Sequence, residues 1–203
     1  LYAELLDDAE NALWSRDSLD NSRVTKAPDL KRVIVAIDPA ATDGSASSET
    51  GIVVAGIGED GHGYVLDDRS LRANPHDWAS AAVTAYHLYN ADRIVAESNN
   101  GGDMVAHTLR TIENDIPIKL VHATRGKHTR AEPVSALYEQ NRIHHVGTFP
   151  ELEDQLCTWT IESASPDRLD ALVWAMTDLI LVRREAPAVV PFGATQASHW
   201  NIS

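Results

Sequence analysis

A single cysteine in 203 residues excludes an internal disulfide framework, and with it the stapled folds of small secreted proteins. Cys157 sits beside Leu156 and close to Trp159 in a segment that reads as helix. It therefore fits a buried small hydrophobe better than a nucleophile, and it agrees with a reducing compartment. Apolar runs are short. None approaches the roughly 20 residues that a membrane-spanning helix needs, so no membrane partner is expected. No secretory leader is visible at Leu1, and a start without methionine reads as a fragment of a longer protein. Basic residues are scarce as well: 17 Lys and Arg stand against 30 Asp and Glu, a net charge of −13. That balance excludes a protein that coats nucleic acid through a general basic surface. It leaves room for chemistry that meets phosphate through bound cations. There are no internal repeats and no complete glycine-rich phosphate loop with its lysine and serine or threonine, so no ATP site is read here.

What is present centres on Arg32-Val-Ile-Val-Ala-Ile-Asp38-Pro39. The continuous apolar run predicts a strand buried on both faces, and Pro39, which has no N–H to donate, ends pairing at the Asp38 carboxylate. Arg93-Ile-Val-Ala-Glu97 repeats the pattern and delivers a second carboxylate at a strand end. Ser165-Pro-Asp167-Arg-Leu-Asp170 opens an apolar helix and offers a third acid. Residues 167 and 170 are one helical turn apart, so both can face one point.

The remaining elements follow from periodicity and turn chemistry. Residues 1–31 read as an appendage with a helical stripe through Leu5, Ala9, Ala12 and Leu13. The small polar stretch after Asp38 reads as a mobile loop, then strands at 51–57 and 64–71 flank the turn at Asp60-Gly61. Asn74-Pro75 caps and starts a helix whose stripe includes Trp78, Ala82 and Ala85. A helix from Asp103, a strand at 116–121, a basic loop at 123–129, a helix at 132–141, an edge strand at 142–146 and a helix at 150–159 follow. The last helix is placed at 167–184, within a domain spanning 32–184, and 185–203 reads as an extended tail. Antiparallel strands 1–3 followed by parallel strands 4–5 define an α/β fold with a mixed sheet of five or more strands flanked by helices.

That order, with acids ending strands one and four, resembles the ribonuclease H-like fold. Within it the chain is similar to the nuclease domain of the terminase large subunit of tailed bacteriophages. The residues that carry the likeness are Val33–Pro39, Ile94-Val-Ala-Glu97-Ser-Asn-Asn-Gly-Gly102, Arg130-Ala-Glu-Pro-Val134, Leu137–Val146 and Ser165–Trp174. Ala12-Leu-Trp14 resembles the linker leaving the upstream ATPase domain of that family. The resemblance implies a hydrolase that cuts double-stranded concatemeric DNA during viral genome packaging, with little sequence preference. It also implies the portal, the small terminase subunit and the same chain's ATPase domain as partners, and the host cell cytoplasm as location. Carried over by position, Asp38, Glu97 and Asp170 are the catalytic acids and metal ligands. Asp167 either joins them as a ligand or only caps the last helix.

The chemistry needs such a cluster. Phosphodiester hydrolysis at neutral pH requires a deprotonated water and relief of charge at phosphorus, which two Mg²⁺ or Mn²⁺ ions held by carboxylates supply. In that arrangement Asp38 bridges both ions, while Glu97 and Asp170 hold one each. Taken singly, each acid has a plainer reading: Asp38 as a turn residue, Glu97 as a cap, Asp170 as a partner of the helix dipole. Arg125, Lys127 and Arg130 form a candidate DNA-contacting loop. His144-His145 is not read as a metal pair, because neighbouring strand residues point to opposite faces. Three other readings remain open: a non-catalytic docking domain of the packaging motor, a resolvase- or transposase-type nuclease, and an actin-like kinase. The last is disfavoured by Ala40 where that class places glycine.

Overall fold

The apolar run becomes strand β1 (Leu30–Asp38), whose last five residues are buried. In this computed structural model the described residues are 8–39, 49–98 and 102–182. Antiparallel to β1 runs β2 (Glu49–Gly58), and antiparallel to β2 runs β3 (Gly63–Asp68), while the two-residue β4 (Leu71–Arg72) pairs with the start of β2. On its other side β1 pairs in parallel with β5 (Arg93–Glu97), and β5 with β6 (Ile118–Val121). A short β7 (Ile143–His145) joins β3 in parallel, giving the order β6-β5-β1-β2-β3-β7 in a seven-stranded sheet. This is the mixed ribonuclease H-like α/β architecture, with helices on both faces.

Strand alternation divides the core in two. Val35, Ile37, Ile52, Val54, Ile94 and Ala96 face α2 (Pro75–Leu88) and α3 (Gly102–Ile112). Ile34, Ala36, Val53, Ala55 and Val95 face the other way, with α4 (Lys127–Glu139), α5 (Pro150–Thr158) and α6 (Asp167–Met176). The same parity aims the acids. Asp38 lies two residues beyond Ala36 and Glu97 two beyond Val95, so both point toward the α6 face. The parallel register Ile37↔Ala96 then sets the two strand ends side by side.

Gly51 on β2 is where α6 comes closest. A Cβ there would stand 2.0 Å from the backbone oxygen of Asp167, so only glycine lets the helix start at that depth. The N-terminal segment also joins this layer. Ser15 caps α1 (Arg16–Ser22), and Trp14 and Leu19 are buried in the same core as α4, α5 and α6.

Three element boundaries differ from the sequence reading. The strand expected at 64–71 is broken after Asp68, where the Asp68 carboxylate accepts from the Ser70 hydroxyl and that hydroxyl in turn accepts the Ile52 N–H. The helix expected from 132 begins at Lys127, within the expected basic loop, because Lys127 and Arg130 are drawn onto Asp170 of α6 and Glu97 at the end of β5; Pro133 thus lies in the second turn instead of the first. The last helix stops at Met176 and continues as a π-helical turn, Thr177–Leu181, in which the Val182 N–H donates to the Thr177 carbonyl at 2.9 Å. Cys157 is buried on α5 as expected, and burial pushes its thiol up to about 12. The polar loop at 40–48, the start of the 1–13 helical stripe, the turn at 99–101 and the tail from 183 lie outside the described residues.

Candidate active site

Three acids meet where β1 and β5 end under the first turn of α6. Asp38 and Asp170 are almost completely buried, with 8% and 1% of their surface exposed. Burial raises the Asp38 carboxyl most, the neighbouring Asp170, Glu97 and Asp167 raise it further, and Lys127 only partly opposes them. Its pKa is thereby pushed up to about 9. A carboxyl in that state records negative charges gathered with too little counter-charge.

The cations closest to the cluster come from α4. Lys127 Nζ donates to Asp170 Oδ2 at 2.6 Å. Arg130 reaches Glu97 Oε2 at 3.6 Å and Asp170 Oδ1 at 3.9 Å, and its guanidinium carbon lies 4.4 Å from the centre of the Trp174 ring. The Trp174 indole N–H donates to Glu97 Oε2 at 2.6 Å. Next to Glu97, Ser98 ties the end of β5 to β6: its backbone N–H and its hydroxyl both donate to the Val121 carbonyl.

Asp167 occupies the first position of α6, and the residue in the capping position is Pro166, so Asp167 makes no side-chain cap. Burial raises its carboxyl to about 6, Glu49 and Asp170 adding to the rise while Lys127 opposes it. Its neighbour Arg168 is turned the other way, onto Glu49 and Asp68, and pins the helix start to β2 and β3.

Asp38, Glu97 and Asp170, with Asp167 at the margin, are thus brought together. The basic residues do not form the open loop expected of them: Lys127 and Arg130 lie on α4 against the acids, while Arg125 precedes the helix and is exposed. Trp174 carries no role in the sequence reading, since nothing local distinguishes an indole that packs from one that also donates. His144 and His145 do face opposite ways, the first toward His62 and the Ser22 carbonyl, the second toward Tyr138 and Glu153.

Among the described residues no three His, Cys, Asp or Glu side chains stand at ligand spacing around one point. The donor set nevertheless suits a hard divalent ion. It consists of carboxylate oxygens, it is buried, and it already attracts two positive side chains.

The terminase RNaseH-like domain profile matches residues 35–179. No curated protein sequence matches. Among solved structures, the large terminase nuclease from thermophilic phage G20c superposes with a TM-score of 0.60 at 13% identity, covering 83% of this chain and 98% of its own. The nuclease domain of the large terminase subunit of bacterial virus Sf6 gives 0.60 at 12% identity, covering 81% and 98%. A second G20c structure, solved with zinc, gives 0.58 at 14% identity, covering 79% and 95%. These likenesses establish the ribonuclease H-like fold, and with the profile extending over most of the sequence, the chain belongs to the terminase RNaseH-like domain family.

Proposed function

We propose that this domain is a metal-dependent endonuclease that cuts double-stranded viral DNA during genome packaging, with little sequence preference. The observation that carries the reading is the convergence of Asp38 and Glu97, from adjacent parallel strands, with Asp170 on α6, where the Asp38 carboxyl is pushed up to about 9 by burial and by the other acids. Relatives agree in kind: the Sf6 nuclease domain has been solved with manganese and the G20c enzyme with zinc.

Asp38, Glu97 and Asp170 would hold two Mg²⁺ or Mn²⁺ ions, with Asp167 as an additional oxygen donor. Such ions, when bound, lower the pKa of water and offset charge developing on the phosphate. The chain's own contribution is to place and screen. β1 and β5 fix two carboxylates on one face, and α6 lowers the third onto them. Lys127 and Arg130, which only partly offset the acids here, are positioned to turn to non-bridging phosphate oxygens of DNA, where the arginine fork can donate twice. The water oxygen gives up a proton and bonds to phosphorus as one P–O ester bond of the backbone breaks, and the departing oxygen takes up a proton.

In the intact motor this domain would follow an ATPase domain of the same chain and work beside portal and small subunit in the host cytoplasm. The experiment is nicking of supercoiled plasmid in Mn²⁺. The expected result is cutting by the unsubstituted chain, reduced at least about a thousandfold in Asp38→Asn, since an amide lacks the charge with which Asp38 would hold a hard divalent ion. Equal cutting by the variant refutes the assignment.

A second reading is favoured by one observation. The ion pair of Lys127 with Asp170 offsets one of the acids internally, as a non-catalytic docking domain would require. Calorimetric uptake of Mn²⁺ separates the two, because a docking domain takes up none.

A further inference from the structure

Resting on the nuclease reading, we infer that Trp174 is a positioning residue: its indole N–H fixes the Glu97 carboxylate, and its ring face holds the Arg130 guanidinium. One side chain thereby sets both a metal ligand and the cation meant for phosphate.

The geometry begins on α6. Trp174 lies four residues beyond Asp170, so both sit on the same helix face one turn apart. Asp170 meets the ends of the strands, and Trp174 reaches Glu97 from the next turn, its N–H 2.6 Å from Oε2. Indole is a donor only, so it cannot ligate a cation or carry a proton, and its effect on Glu97 is orientational. The bond engages Oε2 and so restricts how the carboxylate can turn.

This contact is not the default for tryptophan in this core. Trp14 and Trp159 are buried as well, and the Nε1 of each has no hydrogen-bond partner among the described residues. Of these three buried indoles, the one that donates to a carboxylate does so at a strand-end acid.

The ring face has its own role. Arg130 stacks on it at 4.4 Å, and its side chain is only 9% exposed. Stacking fixes the guanidinium plane without using its N–H groups. Nε and Nη1 have no acceptor within hydrogen-bond distance, although both are buried. A buried arginine with donors unused, aimed between two acids that would carry metal, suits a phosphate oxygen better than it suits the acids themselves, which it approaches no closer than 3.6 Å.

The test is Mn²⁺ binding by calorimetry to the full 203-residue chain and to Trp174→Phe, which keeps a ring for Arg130 and removes the donor. Losing a hydrogen bond that orients a metal ligand weakens affinity about tenfold or more, which is the expected result. Unchanged affinity in a folded variant overturns the inference and leaves the nuclease reading standing. No uptake by the unsubstituted chain overturns both. Should Trp174→Phe fail to fold, the indole resonance of Trp174 in the unsubstituted chain decides: it is expected to shift with Mg²⁺ at the midpoint of metal uptake, and a resonance that stays in place while metal binds overturns the inference.

Discussion

Asp170 shows what a buried acid requires of its neighbours. It is 1% exposed, and Lys127 meets one of its oxygens at 2.6 Å while the Lys127 side chain remains 48% exposed. Truncation of that lysine strands a carboxylate out of water, a cost that reaches several kcal/mol when both partners are deeply buried and falls to about 1–2 kcal/mol when one is half in solvent. We therefore expect Lys127→Ala to melt lower without metal, and Mn²⁺ to restore more stability to the variant than to the unsubstituted chain. Thermal melts at a few Mn²⁺ concentrations check this, and an equal gain in both proteins contradicts it. Positions such as Asp38 and Glu97 were legible in the sequence because an apolar run that stops at an acid is a local pattern. The partner of Asp170 was not, because Lys127, 43 positions away, carries no local mark of which carboxylate it will meet.

Among the elements, β7 and α5 are joined by a buried relay. Tyr138 O–H donates to His145 Nε2 at 2.8 Å, His145 Nδ1 lies 2.9 Å from Glu153 Oε1, and Arg23 donates to the same carboxylate at 2.7 Å. Burial pushes Glu153 up, but the hydrogen bonds from His145 and Arg23 outweigh it and hold the carboxyl at about 2. Burial likewise lowers His145, and Glu153 only partly opposes it. Both groups bind protons less readily folded than unfolded. Their stability is therefore present above the ordinary values and is lost as the pH falls, first as His145 is forced to charge and then as Glu153 is protonated. Glu153 alone should lower the unfolding free energy by on the order of 2–3 kcal/mol between about pH 5 and about pH 2.5, after a His145 loss that begins below about pH 6.5. Urea titrations of Glu153→Gln should show a less stable protein at pH 7 with a flatter acid limb; a limb as steep as that of the unsubstituted chain rules the relay out as the source. The strand and helix order was readable from periodicity and turn residues. The early start of α4 and the π-helical end of α6 were not, since ion pairs with distant acids and with Lys119 on β6 override local preference there.

For the molecule as a whole, charge sets how it meets its proposed substrate. At −13 the domain repels a polyanion, and the cations nearest the site are engaged by its acids. Affinity for a labelled duplex should be undetectable in chelator and should appear when Ca²⁺ or Mg²⁺ is added, falling again with added salt. Fluorescence anisotropy measures this, and tight binding in chelator contradicts it.

The sequence by itself determined the layered α/β order, the strand ends that carry Asp38 and Glu97, and the helix that carries Asp170, because each is written in apolar period and punctuation over a few neighbouring residues. Only the tertiary structure decided what surrounds those acids. Lys127 reaches Asp170 across 43 positions and Trp174 reaches Glu97 across 77, and contacts of that span exist only once the sheet and its helices have packed.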